Sequence, residues 1–505
     1  MVERTDVVVI GGGLAGLTAA AYLSAERRVT LIESTDTAGG QCGGECSGNG
    51  ARDFGVHGIY PRYTELTALL RMAGVREHDL VRAGDQYIVT PHGRPCRVHL
   101  PAIPAPLHVL VHALRLGEIG LRERAQLLSS SAKLLALSAD CPNLDVMSIR
   151  EMAANLRVPP AAFRLVFEPL AWIGFFLHPE TLSARAYLAA MRFLITGRSD
   201  SWRARWIPPP NGKTLIRPLV DLIERNRGRV LVHTKAVALQ EDGKRVSAVK
   251  AQASNGELTI HADSFICAVP PQQAASLVET LNNKVCSRAL GRLGSTYVRT
   301  FRFHFSPGPT PPVLHGVVLT DAAGFVFFSL RDLMPVYAEQ ESRVIEVQCG
   351  PDLMDAGAVM LESSVRRLLP DGTAAKLLKV DETPTIPYAR YAVGGAANRP
   401  GIQSSWPNLF FAGDWVEEPS GSWFMERAAT TGHLSANAVL RREDGFRPWH
   451  SLEGVGVRTV RRLVSRAMQP VLYRNEQRRS DTSASRSLSL ERDLVAVESR
   501  TNLET

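Results

Sequence analysis

The chain has 505 residues, 45% of them hydrophobic and 21% charged, which is the composition of an ordinary folded protein and excludes a wholly disordered or fibrous one. Its formal charge of +8 is unevenly spread, with much of the excess in Arg441 to Arg479; no nucleic-acid-binding module accompanies it, so anionic lipid or water is the expected partner of that surface. Seven cysteines over this length do not make a disulfide framework, and no uncharged apolar run reaches the ~18 residues needed to span a bilayer.

Met1 to Asp6 runs straight into an apolar strand, leaving no room for a signal peptide, so the expectation is a cytoplasmic protein, at most peripheral on a membrane. The β-branched run Asp6 to Ile10 reads as a buried parallel strand. Gly11, Gly13 and Gly16 follow as G-x-G-x-x-G, with Leu14 and Ala15 opening a helix over roughly Gly16 to Ala25. The first glycine permits the tight turn, the second lets backbone approach a pyrophosphate, and the third lets the helix pack on the strand. The helix N-terminus, with its N–H groups and positive dipole end, faces that phosphate. Arg28 to Ile32 forms the next strand. Glu33 ends it, about twenty residues after Gly13, where a carboxylate accepts from a ribose diol.

A second glycine turn, Ala38-Gly39-Gly40-Gln41, comes next. Cys42 and Cys46 lie close in sequence, but no second cysteine pair or His-x-His run completes a metal site, so no metal is expected. A helical pattern covers Tyr63 to Ala73, and Val81 to Val98 reads as short strands around Pro91-His92-Gly93. From Pro101 to about Ile195, apolar residues recur at helical spacing, as in Leu107, Leu110, Leu114 and again Leu121, Leu128, Leu134. This apolar helical insert is either a packed subdomain or a greasy wall for a substrate. Lys213 to Asn226 is a helix, Arg229 to Thr234 a strand, and Ala236 to Leu239 with Val246 to Ala251 a hairpin, followed by a strand over Ile260 to Val269. Tyr297 to Ser306, Val313 to Thr320, Gly324 to Leu330 and Arg343 to Cys349 alternate like antiparallel strands of a second sheet. Val359 to Leu369 is a helix. Asn408 to Asp414 is again strand then turn, Trp423 to Arg441 is a long helix, and Arg458 to Leu472 is basic and amphipathic. Ser480 to Thr505 is polar and expected to be disordered.

Phe411-Ala412-Gly413-Asp414-Trp415 places an acid and, after a short loop, a fresh helix N-terminus beside the same nucleotide. At this point the chain resembles the flavin amine oxidase and carotenoid desaturase superfamily over nearly all of residues 6 to 440. It is most similar to the plant and cyanobacterial type of phytoene and ζ-carotene desaturases, with their relatives acting on squalene-derived and aromatic-ring carotenoids. Phe54-Gly55-Val56-His57, Leu100 to Leu107, Phe167-Glu168-Pro169-Leu170, Asn211-Gly212-Lys213, Val230 to Val237 and Pro407 to Asp414 carry the resemblance.

The resemblance implies an α/β fold: a Rossmann-like FAD-binding domain of the glutathione-reductase type, an inserted mixed β-sheet substrate domain, and an apolar helical subdomain. The corresponding segments are 1–95, 211–270 and 401–445 for FAD binding, 96–210 for the helical subdomain, 271–400 for the substrate sheet, 446–479 for the basic helix and 480–505 for the tail. It further implies that Gly11, Gly13 and Gly16, with Leu14 and Ala15 between them, hold the FAD pyrophosphate, that Glu33 holds the adenosine ribose, and that Gly39, Gly40 and Gln41 flank the phosphates. Val237 would meet the adenine through its backbone, Gly413 and Asp414 the pyrophosphate or ribityl chain, and Met425 and Glu426 the isoalloxazine N1–C2=O edge, where a helix dipole stabilises the reduced flavin. Gln41 stands where relatives commonly carry Arg or Lys, and Arg427 where many carry Gly. His57 is the candidate polar group near the flavin or else a satisfied structural histidine; Trp415 and Trp423 are pocket walls or packing; Arg52 and Arg62 are solvent or phosphate partners. The implied activity is hydride transfer to FAD from a polyisoprenoid or carotenoid, with electrons passed to a quinone or oxygen. The alternative is an amine oxidase releasing hydrogen peroxide, and a third reading is an FAD-stabilised protein without turnover.

Overall fold

The computed structural model describes residues 1–442 except 45, 48–49, 52, 83, 92–94, 99–110, 113, 116–118, 138–141, 197–202, 282, 355–356 and 419–420. The run at 100–107, Arg52, the basic helix at 458–472 and the tail at 480–505 therefore lie outside the described residues.

Five short parallel strands make the nucleotide-binding sheet, in the spatial order Arg229–Leu231, Val29–Ile32, Val7–Ile10, Ser264–Cys267, Leu409–Phe411. Val7–Ile10 and Val29–Ile32 are buried at every position, as strands covered on both faces must be. The order of the strands runs outward in opposite directions from Val7–Ile10, so the crevice at the carboxyl ends of the strands there is where a ligand would sit. Helix Leu14–Ser24 is buried at every residue except Tyr22, because it is sandwiched between this sheet and helix Phe424–Leu440. Gly432 makes that packing close: a Cβ there would lie 2.3 Å from the Ala15 carbonyl oxygen.

Beside this layer, Lys235–Asp242, Arg245–Ala253 and Gly256–His261 form an antiparallel meander, with Val2–Arg4 added in parallel. The single strand expected over Ile260 to Val269 is thus two strands in two sheets. Asp6 causes the break: its carbonyl accepts from the Asp263 and Ser264 amides at 3.1 and 3.2 Å and diverts the chain into the parallel sheet.

The second large sheet has eight strands and runs Leu377–Glu382, Ser295–Phe305, Arg343–Cys349, Gly324–Ser329, His315–Leu319, Gln86–Val89, Cys96–Val98, with Ile386–Ala389 also paired to Ser295–Phe305. Gln86–Val89 and Cys96–Val98 thus join this sheet, although residues up to 95 read as part of the FAD-binding unit. Leu377–Glu382 and Ile386–Ala389 were not anticipated: their edge positions leave them half exposed, without a clean apolar alternation. The period-2 pattern sorts one strand into two cores. Phe325 and Phe327 pack with Phe301, Phe303 and Phe305 on one face, while Val326 and Phe328 turn to the other.

The helical insert includes Leu121–Ala136, Ile149–Leu156, Glu168–Gly174 and Ala184–Met191. Ser148 starts Ile149–Leu156 with a reciprocal cap: its hydroxyl accepts from the Glu151 amide at 3.2 Å, and Glu151 Oε2 accepts from the Ser148 amide at 2.8 Å. The insert packs as a subdomain and also lines a cavity. Trp172 seals the second sheet, so close that a Cβ on Gly324 would lie 2.5 Å from its ring, while Ile173 and Phe176 line the central cavity.

Candidate active site

A cavity of about 680 Å3 runs from the carboxyl ends of the parallel strands to the apolar face of the second sheet. Gly11, Glu33, Ala268 and Gly413, each just beyond the end of a strand, line its first half. Each motif glycine answers to a different neighbour. Gly11 has φ +104°, and a Cβ there would touch the Ala268 carbonyl oxygen at 2.8 Å. A Cβ on Gly16 would lie 2.0 Å from the Gly11 carbonyl oxygen, so this residue is an internal packing contact and does not line the cavity. A Cβ on Gly13 would meet no protein atom within 4 Å: it would project into open space. That hollow, at the uncapped start of helix Leu14–Ser24, fits a pyrophosphate.

Glu33 is fixed in place by hydrogen bonds to its neighbours. Its Oε2 accepts from the Gly12 amide at 2.7 Å, and its Oε1 from the Thr35 amide and hydroxyl, both at 2.9 Å. Leu14, Ala15, Gly39 and Gly40 complete this half of the lining. Gly39 and Gly40 have φ of +134° and +53°, and the Gly39 amide donates to the Gly12 carbonyl at 2.8 Å, which locks the two glycine turns together. Gln41 also lines the cavity, but its side-chain amide donates to the Pro387 carbonyl at 2.8 Å. It ties the glycine turn to the edge of the second sheet, a neutral role a Lys or Arg at this position would not share. Val237 also lines the cavity. The pairing register shifts between Ala236 and Ala238, so Val237 is a bulge residue whose backbone is left out of the ladder.

Gly413 has φ +145° and exchanges hydrogen bonds with Thr431 Oγ1 at 2.9 and 3.1 Å. Asp414 lines the cavity beside it. Burial pushes its carboxyl up, against the pull of Arg399 and Arg427. Helix Phe424–Leu440 starts at this wall with no side-chain cap, and Met425 and Ala428 line the cavity from its first turns. Glu426 is a correction to the sequence reading: it does not line the cavity. It turns to the far side and caps another helix, Thr64–Met72. Its carboxylate accepts from the Glu65 amide at 2.8 Å, the Leu66 amide at 3.0 Å and the Thr64 hydroxyl at 3.2 Å. Arg427 likewise points away, donating to the Val416 carbonyl at 3.0 Å and pairing with Glu417 at 3.1 Å. Trp415 lines the cavity; Trp423 packs on Phe175 and Tyr391 at ring distances of 4.3 and 4.8 Å. Arg62 lies over the Phe193 ring at 5.1 Å. Cys42 is buried on the lining, and burial pushes its thiol up to about 12, so it is no thiolate.

His57 sits on the lining where the two halves meet. Its Nδ1 is 2.8 Å from the Gly55 carbonyl oxygen and 3.0 Å from Asn211 Nδ2. Burial lowers its pKa, which favours the neutral ring; in the tautomer that donates Nδ1–H to the Gly55 carbonyl, Nε2 is the basic atom, and in the one that accepts from Asn211 it carries the proton. The loop that carries it is clamped by the second sheet. Thr300 Oγ1 donates to the Phe54 carbonyl at 2.7 Å, Arg302 to the Asp53 carbonyl at 2.6 Å, and Glu346 Oε1 accepts from the Val56 amide at 2.8 Å. Arg302 and Glu346 pair at 3.0 Å in the interior. Asp53 is pushed up to about 7 by burial, and its Oδ1 accepts from the Asn211 amide at 2.9 Å. Asp53 and Asn211 were given no role in the sequence; for Asn211, which opens a quoted motif, its place between Pro210 and Gly212 was the available signal.

The far half is mostly apolar: Tyr60, Ile173, Phe176, Trp206, Val326 and Phe328 line it, with His315, Tyr388, Gln86 and Gln348. Among the described residues the only acids on the lining are Glu33 and Asp414, both at the nucleotide end. No metal-ligating cluster occurs among the described residues.

Residues 14–440 match the Flavin containing amine oxidoreductase family. The chain belongs to that family. It is an FAD-dependent oxidoreductase, and the Gly13 hollow, Glu33 and the uncapped helix at Met425 fit its FAD. A carotenoid phi-ring synthase of Streptomyces griseus is 28% identical over 87% of this chain and 88% of its own length. A 15-cis-phytoene desaturase of an Oncidium hybrid cultivar is 23% identical over 87% of this chain and 78% of its own. The hydroxysqualene dehydroxylase of Rhodopseudomonas palustris is 25% identical over 86% and 98%. A solved putrescine oxidase variant covers 88% of this chain and 100% of its own at TM-score 0.65 and 15% identity, which shows a shared fold. No described helix is long and apolar enough to cross a membrane.

Proposed function

We propose that this flavoprotein dehydrogenates a polyisoprenoid or carotenoid-type substrate at a carbon–carbon bond. The observation that carries the reading is the lining itself. Beyond the nucleotide half it offers mostly aromatic and aliphatic surface, with the neutral side chains of Gln86 and Gln348, and among the described residues no carboxylate. An ammonium substrate would have to shed its charge there unpaired, at a cost of several kcal/mol; a polyene loses nothing on entry. The names of the relatives, which concern carotenoids and a squalene derivative, support the same class.

FAD, when bound, accepts the hydride lost by the substrate carbon. The chain supplies the rest. Gly11, Gly13, Leu14, Ala15, Glu33, Gly39, Gly40, Val237, Gly413, Asp414 and Met425 hold the cofactor, and Gly16 shapes the turn. The apolar half orients the chain of the substrate and excludes water. His57 Nε2 receives the proton that leaves the neighbouring carbon, so two hydrogens depart and one double bond forms. A quinone or oxygen then takes the electrons. The basic segment at 458–472 would bring the protein to an anionic bilayer that holds such a substrate.

Anaerobic mixing tests this. Liposomes carrying phytoene, ζ-carotene or squalene should bleach the oxidised flavin band and yield a more conjugated product. Bleaching by putrescine or an aromatic amine alone would transfer the protein to the amine oxidases.

A further inference from the structure

Behind His57 two buried oxygens lack a donor. Asp53 and Asn211 are 1% and 0% exposed, and Asp53 Oδ2 and Asn211 Oδ1 are buried without a hydrogen-bond partner. The two residues are already joined, since the Asn211 backbone amide donates to Asp53 Oδ1 at 2.9 Å. Gly55 orients the Asn211 side chain. Its carbonyl only accepts, so Nδ2 faces it at 3.2 Å and lies 3.0 Å from His57 Nδ1, which leaves Oδ1 turned away from the ring. Among the described residues no cation forms an ion pair with the Asp53 carboxyl: Arg302 donates to the Asp53 backbone carbonyl at 2.6 Å and pairs with Glu346 at 3.0 Å. Gly44 packs against the carboxyl, where a Cβ would lie 1.5 Å from Oδ1.

An ionised Asp53 would be a buried charge with one donor, next to a carbonyl oxygen with none, and both shortfalls cost free energy. A proton on Oδ2 removes them together, because a carboxylic acid is neutral and donates. We infer that Asp53 is a carboxylic acid in the folded protein, that its O–H completes the Asn211 carbonyl, and that these two are positioning residues for His57. Asp53 holds the amide, and the amide holds the Nδ1 edge of the imidazole. The Asp53 proton stays in place; the reacting proton is handled at His57 Nε2. Burial, chiefly, pushes this carboxyl up to about 7, and the charge of Glu346 adds to the rise, while the Asn211 amide and Arg302 pull it down. Arg302 and Glu346 of the second sheet are thus the charges that act on it, and His57 stands beyond Asn211. The inference rests on the reading of His57 as proton acceptor and adds what keeps it in place.

Infrared difference spectra of the FAD-loaded protein minus Asp53→Asn, taken at about pH 6, test the proton directly, since an ordinary aspartate is ionised there. A carboxylic-acid C=O band that shifts in D2O is expected; its absence would mean an ionised Asp53 and overturn the inference. Anaerobic flavin reduction by the polyene liposomes tests the role. Asp53→Asn keeps a neutral side chain with a donor in the place of the O–H, and should reduce within about threefold of the parent rate. Asp53→Ala should slow reduction about tenfold or more at saturating substrate, with flavin content and the half-saturating substrate concentration unchanged. The parent rate should fall as pH rises through about 7 and Asp53 loses its proton, a limb that Asp53→Asn lacks. An Asp53→Asn rate as low as that of Asp53→Ala, or an Asp53→Ala rate equal to the parent's, would overturn the positioning role. If Asp53→Ala does not hold FAD, the infrared band and the pH limb of the other two proteins decide. If no polyene reduces the parent flavin, the dehydrogenase reading fails by itself, and the infrared band still upholds or overturns the protonated Asp53.

Discussion

At the scale of single residues, the motif glycines separate into two mechanisms that substitution can tell apart. Gly13 has an ordinary φ of −68° and faces open space, so Gly13→Ala should fold with an apo-protein Tm close to that of the parent. Its methyl group takes the room of a phosphate, and FAD affinity should fall tenfold or more. Gly16→Ala drives a Cβ into the Gly11 carbonyl and should cost the fold itself about 1–3 kcal/mol or more. Differential scanning of the apo-proteins beside flavin absorbance of the loaded ones decides it; a Gly13→Ala protein with normal FAD content would remove the pyrophosphate from that hollow. Glu426 makes a second prediction. Burial, chiefly, pushes it up to about 7 from an ordinary value of 4.5. The folded protein then keeps a proton that the unfolded chain has released between those values. Stability from this group is fully present below about pH 4.5 and lost as pH rises through about 7. The unfolding free energy of the parent should therefore fall relative to that of Glu426→Gln across this window, by at most about 3 kcal/mol, read by urea unfolding at each pH; a constant difference would show that the three capping bonds cancel the burial.

Among elements, the decisive contact is helix against helix. Gly432 on Phe424–Leu440 lets the backbone of Leu14–Ser24 approach, so both helix starts can point at one ligand from neighbouring positions. Gly432→Ala would gain about 1 kcal/mol of helix propensity. The Cβ at 2.3 Å from the Ala15 carbonyl should outweigh that gain by pushing the helices apart, lowering both Tm and FAD affinity. Unfolding in urea and flavin titration measure the two; a stabilised variant would mean the helices are not close-packed there. The elements themselves were largely legible. Val7–Ile10, Leu14–Ser24, Thr64–Met72, Ser295–Phe305, Arg343–Cys349 and Phe424–Leu440 fall within a few residues of their expected places, because each has a clean apolar period or a glycine boundary. Leu377–Glu382 did not, since an edge strand with one wet face and no strict alternation carries little signal.

For the whole molecule, the cavity lies between the two sheets, and FAD would occupy its nucleotide half. Cofactor should then act as a structural ligand. Its removal should lower Tm, and added FAD at a hundred times its Kd should restore about 2.7 kcal/mol. A Tm indifferent to FAD would mean that the sheets close without it. The clamp of Thr300, Arg302 and Glu346 on the loop at 53–57 makes the position of His57 a property of both sheets at once.

The sequence by itself determined the nucleotide half. Glycine spacing, a strand-ending acid and a helix start are local features, readable because turn sterics and dipoles act over a few residues. It could not tell which way Glu426 faces, since helix Thr64–Met72 reaches it from more than 350 residues away and claims its carboxylate. Nor could it join Asp53 to Asn211, or show that Gln41 bonds Pro387. Those contacts exist only once two sheets close around one cavity, and which polar groups are then left with partners or without them is decided by the tertiary structure alone.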